Sequence, residues 1–520
     1  MKISDLLEHS AAAFADRTAI THGERSVTFD ELWATVSTLE RFLRQLPIEP
    51  GSRVAILFEN SIEYLTCFFA ATKAGCVVVP LDTSANPLTL RSILSDCSAT
   101  LLFCQSRYQR HLAKILNEST PVKWLVTDKE IKTDFDGVTR YSLDNVIGNT
   151  GDHPEDNTPA PQERELSWTD SPNELAAIYY TSGSTGDAKG VMLSHRNLVS
   201  NTLGTVEYLG LRAEDSVMVI LPFYYIYGNS LLLTHIACGG RLVVDNRFLY
   251  PEVILDTMEK EQVTGLSGVP SNFVILLNKS TFKTRRFEHL RYFTQAGGAM
   301  APKTIQQLMD AFPEKEIWIM YGQTEASPRA SYLPPDKLKD KLGSIGIAVP
   351  DVTLSIVNDS GAPVESGQTG QILISGPNVM LGYWNQPEET ATVLHEGGLL
   401  TGDLARQDKD GFFHIVGRKK EIIKTGGNRV SAKEVEECLL RFDNILEASV
   451  FGVPDELLGE AIKAVVVLKK NAQANAKQIQ DHCKTQLALH KAPKHIVFTE
   501  SLPKLESGKI NKQALVNNRS

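Results

Sequence analysis

The chain has 520 residues, 42% hydrophobic and 22% charged, and its 53 Lys/Arg against 62 Asp/Glu give a formal charge of −9. A single core stops growing near ~250–300 residues, so at least two domains are expected. Average composition excludes a disordered, collagenous or coiled-coil chain, and mild acidity excludes a global field for nucleic acid or anionic lipid.

The first residues, Met1-Lys2-Ile3-Ser4-Asp5, reach acid at once and lack a signal-peptide core, so a cytoplasmic location is expected. Thr28-Phe29-Asp30-Glu31 reads as a capping box opening a helix with Leu32, Val36, Leu39, Phe42 and Leu43 on its apolar face. Arg53 to Phe58 and Cys76 to Pro80 read as buried strands, with a helix from Ile62 to Lys73 between them. The longest apolar run, Cys67 to Leu81, is short and carries Lys73, so no membrane span is expected. Residues 149–172 are rich in Pro, Asp, Asn and Glu and read as a surface connection. Strands and helices alternate again over 173–345, and short strands with turn dipeptides such as Asp410-Gly411 mark a β-rich module over 346–417. The last hundred residues, 421–520, form a small α/β unit with 15 Lys/Arg against 12 Asp/Glu, while the rest of the chain is acidic. The seven cysteines form no C-x-x-C pair and sit mostly among apolar residues, as reduced structural thiols do.

The strongest chemical signal is Tyr180-Thr-Ser-Gly-Ser-Thr-Gly-Asp-Ala-Lys-Gly190, after an apolar stretch that fits a strand. Small hydroxyl residues and glycines let backbone N–H groups approach a polyphosphate, and Lys189 adds a positive charge. Ala188 before Lys189 excludes the P-loop of nucleoside triphosphatases, which requires Gly-Lys after four spacers. Further motifs are Gly297-Gly-Ala299, Tyr321-Gly-Gln-Thr-Glu325, Thr401-Gly-Asp403, Gly417-Arg418 with Lys420 after it, and Gly508-Lys509.

Together these motifs, in this order, resemble the adenylate-forming superfamily: acyl-CoA synthetases, aryl-CoA ligases, peptide-synthetase adenylation domains and beetle luciferases. The stretch from Gly376 to Glu436 matches almost throughout. The resemblance implies an α/β fold with a large N-terminal domain, 1–419, holding α/β subdomains (about 1–165 and 166–345) and a β-rich module (346–419). A small mobile α+β domain, 420–520, would follow, hinged at Lys420. It implies that a carboxylate attacks the α-phosphate of ATP with loss of pyrophosphate, a reaction between anions that calls for charge neutralisation and in-line positioning. The acyl group would then pass to coenzyme A. The phosphopantetheine thiol of an acyl carrier protein is the alternative acceptor.

By the same resemblance Thr181, Ser182, Gly183, Ser184, Thr185 and Gly186 would cradle the phosphates with Lys189. Thr324 would donate to the α-phosphate, and Glu325 would hold Mg2+. Gly297, Gly298 and Ala299 would wall the adenine and carboxylate pocket, with Tyr321 stacked on the base and Gly322 and Gln323 beside it. Asp403 and Arg418 would bind the ribose. Lys509 would reach the α-phosphate and carboxylate, a task suited to a mobile point charge on a long stem. Gly426 and Gly427 would line the thiol channel. Pro222-Phe-Tyr-Tyr-Ile-Tyr-Gly228 resembles the aromatic gate, with Tyr225 and Gly228 at the substrate pocket. Tyr224 and Tyr227 could equally be core packing. Ile226 stands where enzymes for α-amino acids carry Asp, which favours an acyl, aryl or hydroxy acid. Ala188, Gln371, Gly398, Leu400, Ala432 and Lys512 depart from the family pattern without removing a charged catalytic group. A luciferase-like oxygenase has the same motifs but commonly ends in the peroxisomal Ser-Lys-Leu, absent from Val516-Asn-Asn-Arg-Ser520. A non-catalytic nucleotide binder would have lost charges that are present.

Overall fold

Two large sheets, a smaller antiparallel sheet and a separate C-terminal sheet carry the chain. The computed structural model describes residues 1–116, 120–148, 160–182, 188–504 and 510–517. Thr28 caps the helix Phe29–Gln45: its hydroxyl accepts from Glu31 N (3.2 Å), and the Glu31 carboxylate accepts from Thr28 N (2.8 Å). The strand Arg53–Leu57, helix Ile62–Lys73 and strand Val77–Pro80 follow as the sequence predicts. That helix is apolar all round because it is buried on nearly every side.

The first sheet has eight strands in the spatial order Gly382–Tyr383, Ala188–Ser194, Leu175–Ser182, Val77–Pro80, Arg53–Leu57, Leu101–Cys104, Trp124–Thr127 and Thr139–Ser142. Leu175–Ser182 and Ala188–Ser194 form an antiparallel hairpin in which Ser182 faces Ala188. Residues 183–187, between them, lie outside the described residues.

The second sheet has nine strands, ordered Ile347–Ala348, Ser331–Leu333, Glu316–Tyr321, Tyr292–Gln295, Gly265–Gly268, Ser216–Val219, Arg241–Val244, Thr18–His22 and Arg25–Thr28. The six from Glu316–Tyr321 to Thr18–His22 run parallel. Parallel strands end at one edge, and ligands of open α/β sheets bind there. The loops at Leu221–Tyr225, Val269–Pro270, Gly297–Ala299 and Gly322–Glu325 therefore share one edge although they span a hundred residues of chain. Sheet membership does not follow chain position, since Thr18–His22 pairs with Arg241–Val244.

The third sheet pairs Gly398–Gln407 with Gly370–Ser375, Leu394–His395 and Phe413–Arg418. One continuous core joins these three sheets, from Ile20 through Phe68 and Phe223 to Ile372. The fourth sheet, Ile422–Thr425, Asn428–Ser431, Ile445–Asp455, Gly459–Leu468 and His495–Phe498, closes over a core of its own that includes Val435, Val450, Val466 and Ile479. A large α/β domain and a small α+β domain result. Among the described residues no helix is long and apolar enough to cross a membrane. All seven cysteines are free; burial pushes the Cys76 thiol up to about 11 and Cys97 up to about 12, far from a nucleophile's range.

Candidate active site

Three expected nucleotide residues meet at one carboxylate. Asp403 is buried, and its Oδ2 accepts from the Tyr321 hydroxyl (2.7 Å) while its Oδ1 accepts from Arg418 Nε (2.9 Å). The fifteen-residue gap between Asp403 and Arg418 is a hairpin register: they are directly opposed on Gly398–Gln407 and Phe413–Arg418. The Thr401 hydroxyl accepts from Asp403 N (3.1 Å) and fixes the turn. The Asp403 charge holds the Arg418 guanidinium above its usual range. Burial, with Asp403 beside it, pushes the Tyr321 phenol far up, so that hydroxyl stays a donor.

Gly297 has φ +83°, in the region that favours glycine. The buried Gln295 amide holds this loop by donating to the carbonyls of Ala296 (3.1 Å) and Gly298 (2.7 Å). Gly298 and Ala299 are exposed at the sheet edge. Gly322 is required by close approach, because a Cβ there would sit 1.7 Å from the Pro328 carbonyl oxygen. Gln323 precedes the short turn Thr324–Ala326, which carries Thr324 and the half-buried Glu325.

Glu325 accepts at Oε1 from the Tyr383 hydroxyl (2.8 Å). The Tyr383 ring lies 5.3 Å from Lys189 Nζ, and Lys189 is ion-paired with Glu389. The Lys189 hydrogen bond holds the Glu389 carboxyl below its ordinary range, and Lys420 acts on it in the same direction. The Lys420 charge is felt at Glu389, while Lys189 and Glu325 meet around Tyr383 and Glu389, two residues to which the sequence reading gave no role. The only hint was their place in the matching stretch that begins at Gly376. Lys420 sits in the turn Lys419–Glu421, between the last strand of the third sheet and the first of the fourth.

The gate residue Tyr225 donates to Asp82 Oδ2 (3.0 Å), another partner the sequence did not reveal. A Cβ on Gly228 would lie 2.0 Å from the Pro222 carbonyl oxygen, so glycine lets the helix Ile226–Ala237 start against that strand end. Tyr227 is buried and donates to the carbonyl of Thr294 (3.1 Å). Gly426 and Gly427, at φ +55° and +78°, form the exposed turn between Ile422–Thr425 and Asn428–Ser431. Thr181 lies on the outgoing strand of the hairpin, opposite Lys189. Gly183, Ser184, Thr185, Gly186, Lys509 and the side chain of Ser182 lie outside the described residues.

The fold is shared with known proteins. The family model "AMP-binding enzyme" matches residues 7–384, and "AMP-binding enzyme C-terminal domain" matches 434–509. A long-chain-fatty-acid–CoA ligase of Yersinia pestis is 32% identical, the alignment covering 98% of this chain and 93% of the relative. An anthranilate CoA ligase solved with anthranoyl-AMP is 25% identical with a TM-score of 0.88, covering 99% of this chain and 97% of that one. An O-succinylbenzoate coenzyme A synthetase from Bacillus subtilis, solved with ATP and magnesium ion, is 26% identical with a TM-score of 0.81, covering 98% and 99%.

Proposed function

The chain belongs to the AMP-binding enzyme family, and we propose that it converts a carboxylic acid and ATP into acyl-AMP and pyrophosphate, then transfers the acyl group to coenzyme A. The observation that carries this reading is the convergence of Tyr321 and Arg418 on Asp403, one motif away from Glu325. Asp403 accepts from ribose hydroxyls, held in place by two donors before the nucleotide arrives. Tyr321 presents its ring to adenine while its hydroxyl stays on Asp403.

Among the described residues no group of three or more His, Cys, Asp or Glu forms a metal site. A single carboxylate plus substrate phosphates is an ordinary way to hold Mg2+, and the half-buried Glu325 fits that donor set. The ion would neutralise charge on the triphosphate oxygens. Tyr383 orients the Glu325 carboxylate. Thr324 and Lys189 reach the phosphates, an incoming triphosphate competing with Glu389 for Lys189. Lys509 joins the α-phosphate and the attacking carboxylate.

Lys420 is the hinge of a domain division into 1–419 and 420–520, with the turn at Gly426 and Gly427 entering for the thiol step. Tyr225 and Gly228 bound the acid pocket. Coenzyme A is the acceptor favoured by the relatives' names, and a carrier-protein phosphopantetheine is the variant. Free, buried cysteines fit a cytoplasmic location. ATP–pyrophosphate exchange over a panel of carboxylic acids tests the first half-reaction. Exchange with at least one acid, lost by roughly 100-fold or more in Lys509→Ala, is expected. No exchange with any acid would sink the reading.

A further inference from the structure

Lys512 opens the last helix, Lys512–Asn517, between two carboxylates. Its Nζ lies 2.7 Å from Glu421 Oε2 and 3.1 Å from Glu436 Oε1. Burial alone would lower the Lys512 ammonium, but the charges of Glu436 and Glu421 outweigh it and hold it above its ordinary range. Glu436 Oε1 also accepts from Val450 N (2.8 Å), which ties the group to the strand Ile445–Asp455. The three charged side chains come from separate elements: the turn Lys419–Glu421, the helix Ala432–Leu440 and the last helix.

This triad sits at the hinge. Glu421 is the residue after Lys420, and Lys512 holds it to the body of the small domain. On the other side of Lys420, Lys419 Nζ pairs with Asp359 Oδ1 (2.7 Å) in the large domain. Lys420 is therefore flanked by one neighbour tied to each body.

The triad is also close in sequence to Lys509, which lies three residues before Lys512. Three residues span at most ~11 Å of extended chain. Residues 505–509 lie outside the described residues, and both borders of that stretch are anchored. Lys504 and Ile510 face each other in an antiparallel bridge, and Asn511 N donates to the Pro503 carbonyl (2.8 Å). Asn511 Oδ1 accepts from Ala514 N (3.0 Å) and caps the helix. Ile510 and Leu515 pack on Phe451, Val465 and Val467 of the small domain's sheet. Apolar packing is non-directional and holds the segment down without setting its direction. Two carboxylates on one ammonium do set it.

We propose that Lys512 is a positioning residue for acid activation: through Glu421 and Glu436 it aligns the segment that carries Lys509 with the hinge at Lys420. This rests on the proposed activation and on Lys509 acting in that half-reaction. Lys512 acts through Lys509, whose charge must meet the α-phosphate and the attacking carboxylate together. Small displacements of such a group are costly. The thioester step, in which the turn at Gly426 and Gly427 takes over, does not draw on it.

The test measures the two half-reactions separately in the full-length protein with Mg2+. ATP–pyrophosphate exchange reads activation, and thioester formation from synthetic acyl-AMP and coenzyme A reads transfer. In Lys512→Met with a wild-type melting temperature, kcat for exchange should fall roughly tenfold or more, with KM for ATP and the transfer rate within about twofold of wild type. Lys512→Arg, which keeps the charge, should recover most of the exchange. Wild-type exchange in a folded Lys512→Met overturns the proposal while acid activation stands. So does loss of both half-reactions in proportion, the mark of a merely structural role, or a Lys512→Arg no better than Lys512→Met. Where Lys512→Met fails to fold, Glu421→Gln, at a half-exposed position, should show the same split, and unchanged exchange there overturns the proposal. Absence of exchange with every acid in the wild type removes the activation itself, and this inference with it.

Discussion

At the scale of single residues, Asp403 is the best-determined element of the site. Its two carboxylate oxygens are held from opposite sides by Tyr321 and Arg418, so its geometry does not depend on a ligand. Asp403→Asn keeps the shape but removes the charge. We expect KM for ATP to rise by roughly tenfold or more with the melting temperature little changed, read from exchange kinetics at varied ATP. An unchanged KM would dissociate Asp403 from the nucleotide. This residue was legible in the sequence, because Thr-Gly-Asp and Gly-Arg are local strings. Tyr383, Glu389 and Asp82 were not, because their contacts to Glu325, Lys189 and Tyr225 join segments far apart in the chain. Asn229 carries no assigned role: both polar atoms of its amide are buried without partners among the described residues.

At the scale of elements, two helices carry buried, neutral histidines that make the fold sensitive to acid. His195 opens the helix His195–Leu209, and His235 closes the helix Ile226–Ala237. Burial lowers each to about 4, with Lys2 and the N-terminal charge adding to the effect at His195. His195 Nδ1 accepts from Ile3 N (3.2 Å), an acceptor role open only to the unprotonated nitrogen. An unfolded histidine titrates near ~6.5. Between about 4 and that value the unfolded chain binds protons that the folded chain refuses. Stability is therefore full above about pH 6.5, falls as pH drops toward 4, and then levels, by at most about 1.4 kcal/mol per histidine per pH unit. Asp215 adds a loss of the same sign at lower pH. Burial would raise its carboxyl, but hydrogen bonds and charge from Arg291 outweigh that and hold it down. Melting temperatures measured from pH 7.5 to 4.5 should fall steadily below 6.5. A flat profile would show that these histidines are protonated without cost.

At the scale of the whole molecule, two cores that share no residue fit two bodies able to move apart. The exposed pair Lys303–Asp443 links them weakly, and near the division Ser431 Oγ donates to the Val416 carbonyl and Lys433 Nζ to the Ile415 carbonyl (2.9 Å). If the small domain swings about Lys420, the two half-reactions should separate by mutation. Gly427→Trp is expected to leave pyrophosphate exchange near wild type while lowering thioester formation at least tenfold, whereas Lys509→Ala should lose exchange. Equal loss of both steps in a Gly427→Trp variant whose melting temperature matches wild type would count against the swing; Gly427 is exposed with open space around it, but its φ of +78° strains any side chain there, so the melting control is part of the test. The chain's length and its contrast between an acidic body and a basic tail called for a second domain, and the motif strings identified its chemistry. These are properties of short segments, where spacing alone places a hydroxyl, a glycine or a charge. The sequence by itself therefore determined the family and the order of the motif-bearing loops. Only the tertiary structure decided which distant strands share an edge, and thus that Thr18–His22 closes a sheet built mainly from residues 216–348. It alone also revealed that Arg329, four residues past Glu325, is buried with no carboxylate partner among the described residues. Burial and pairing are properties of the packed chain, and no local pattern encodes them.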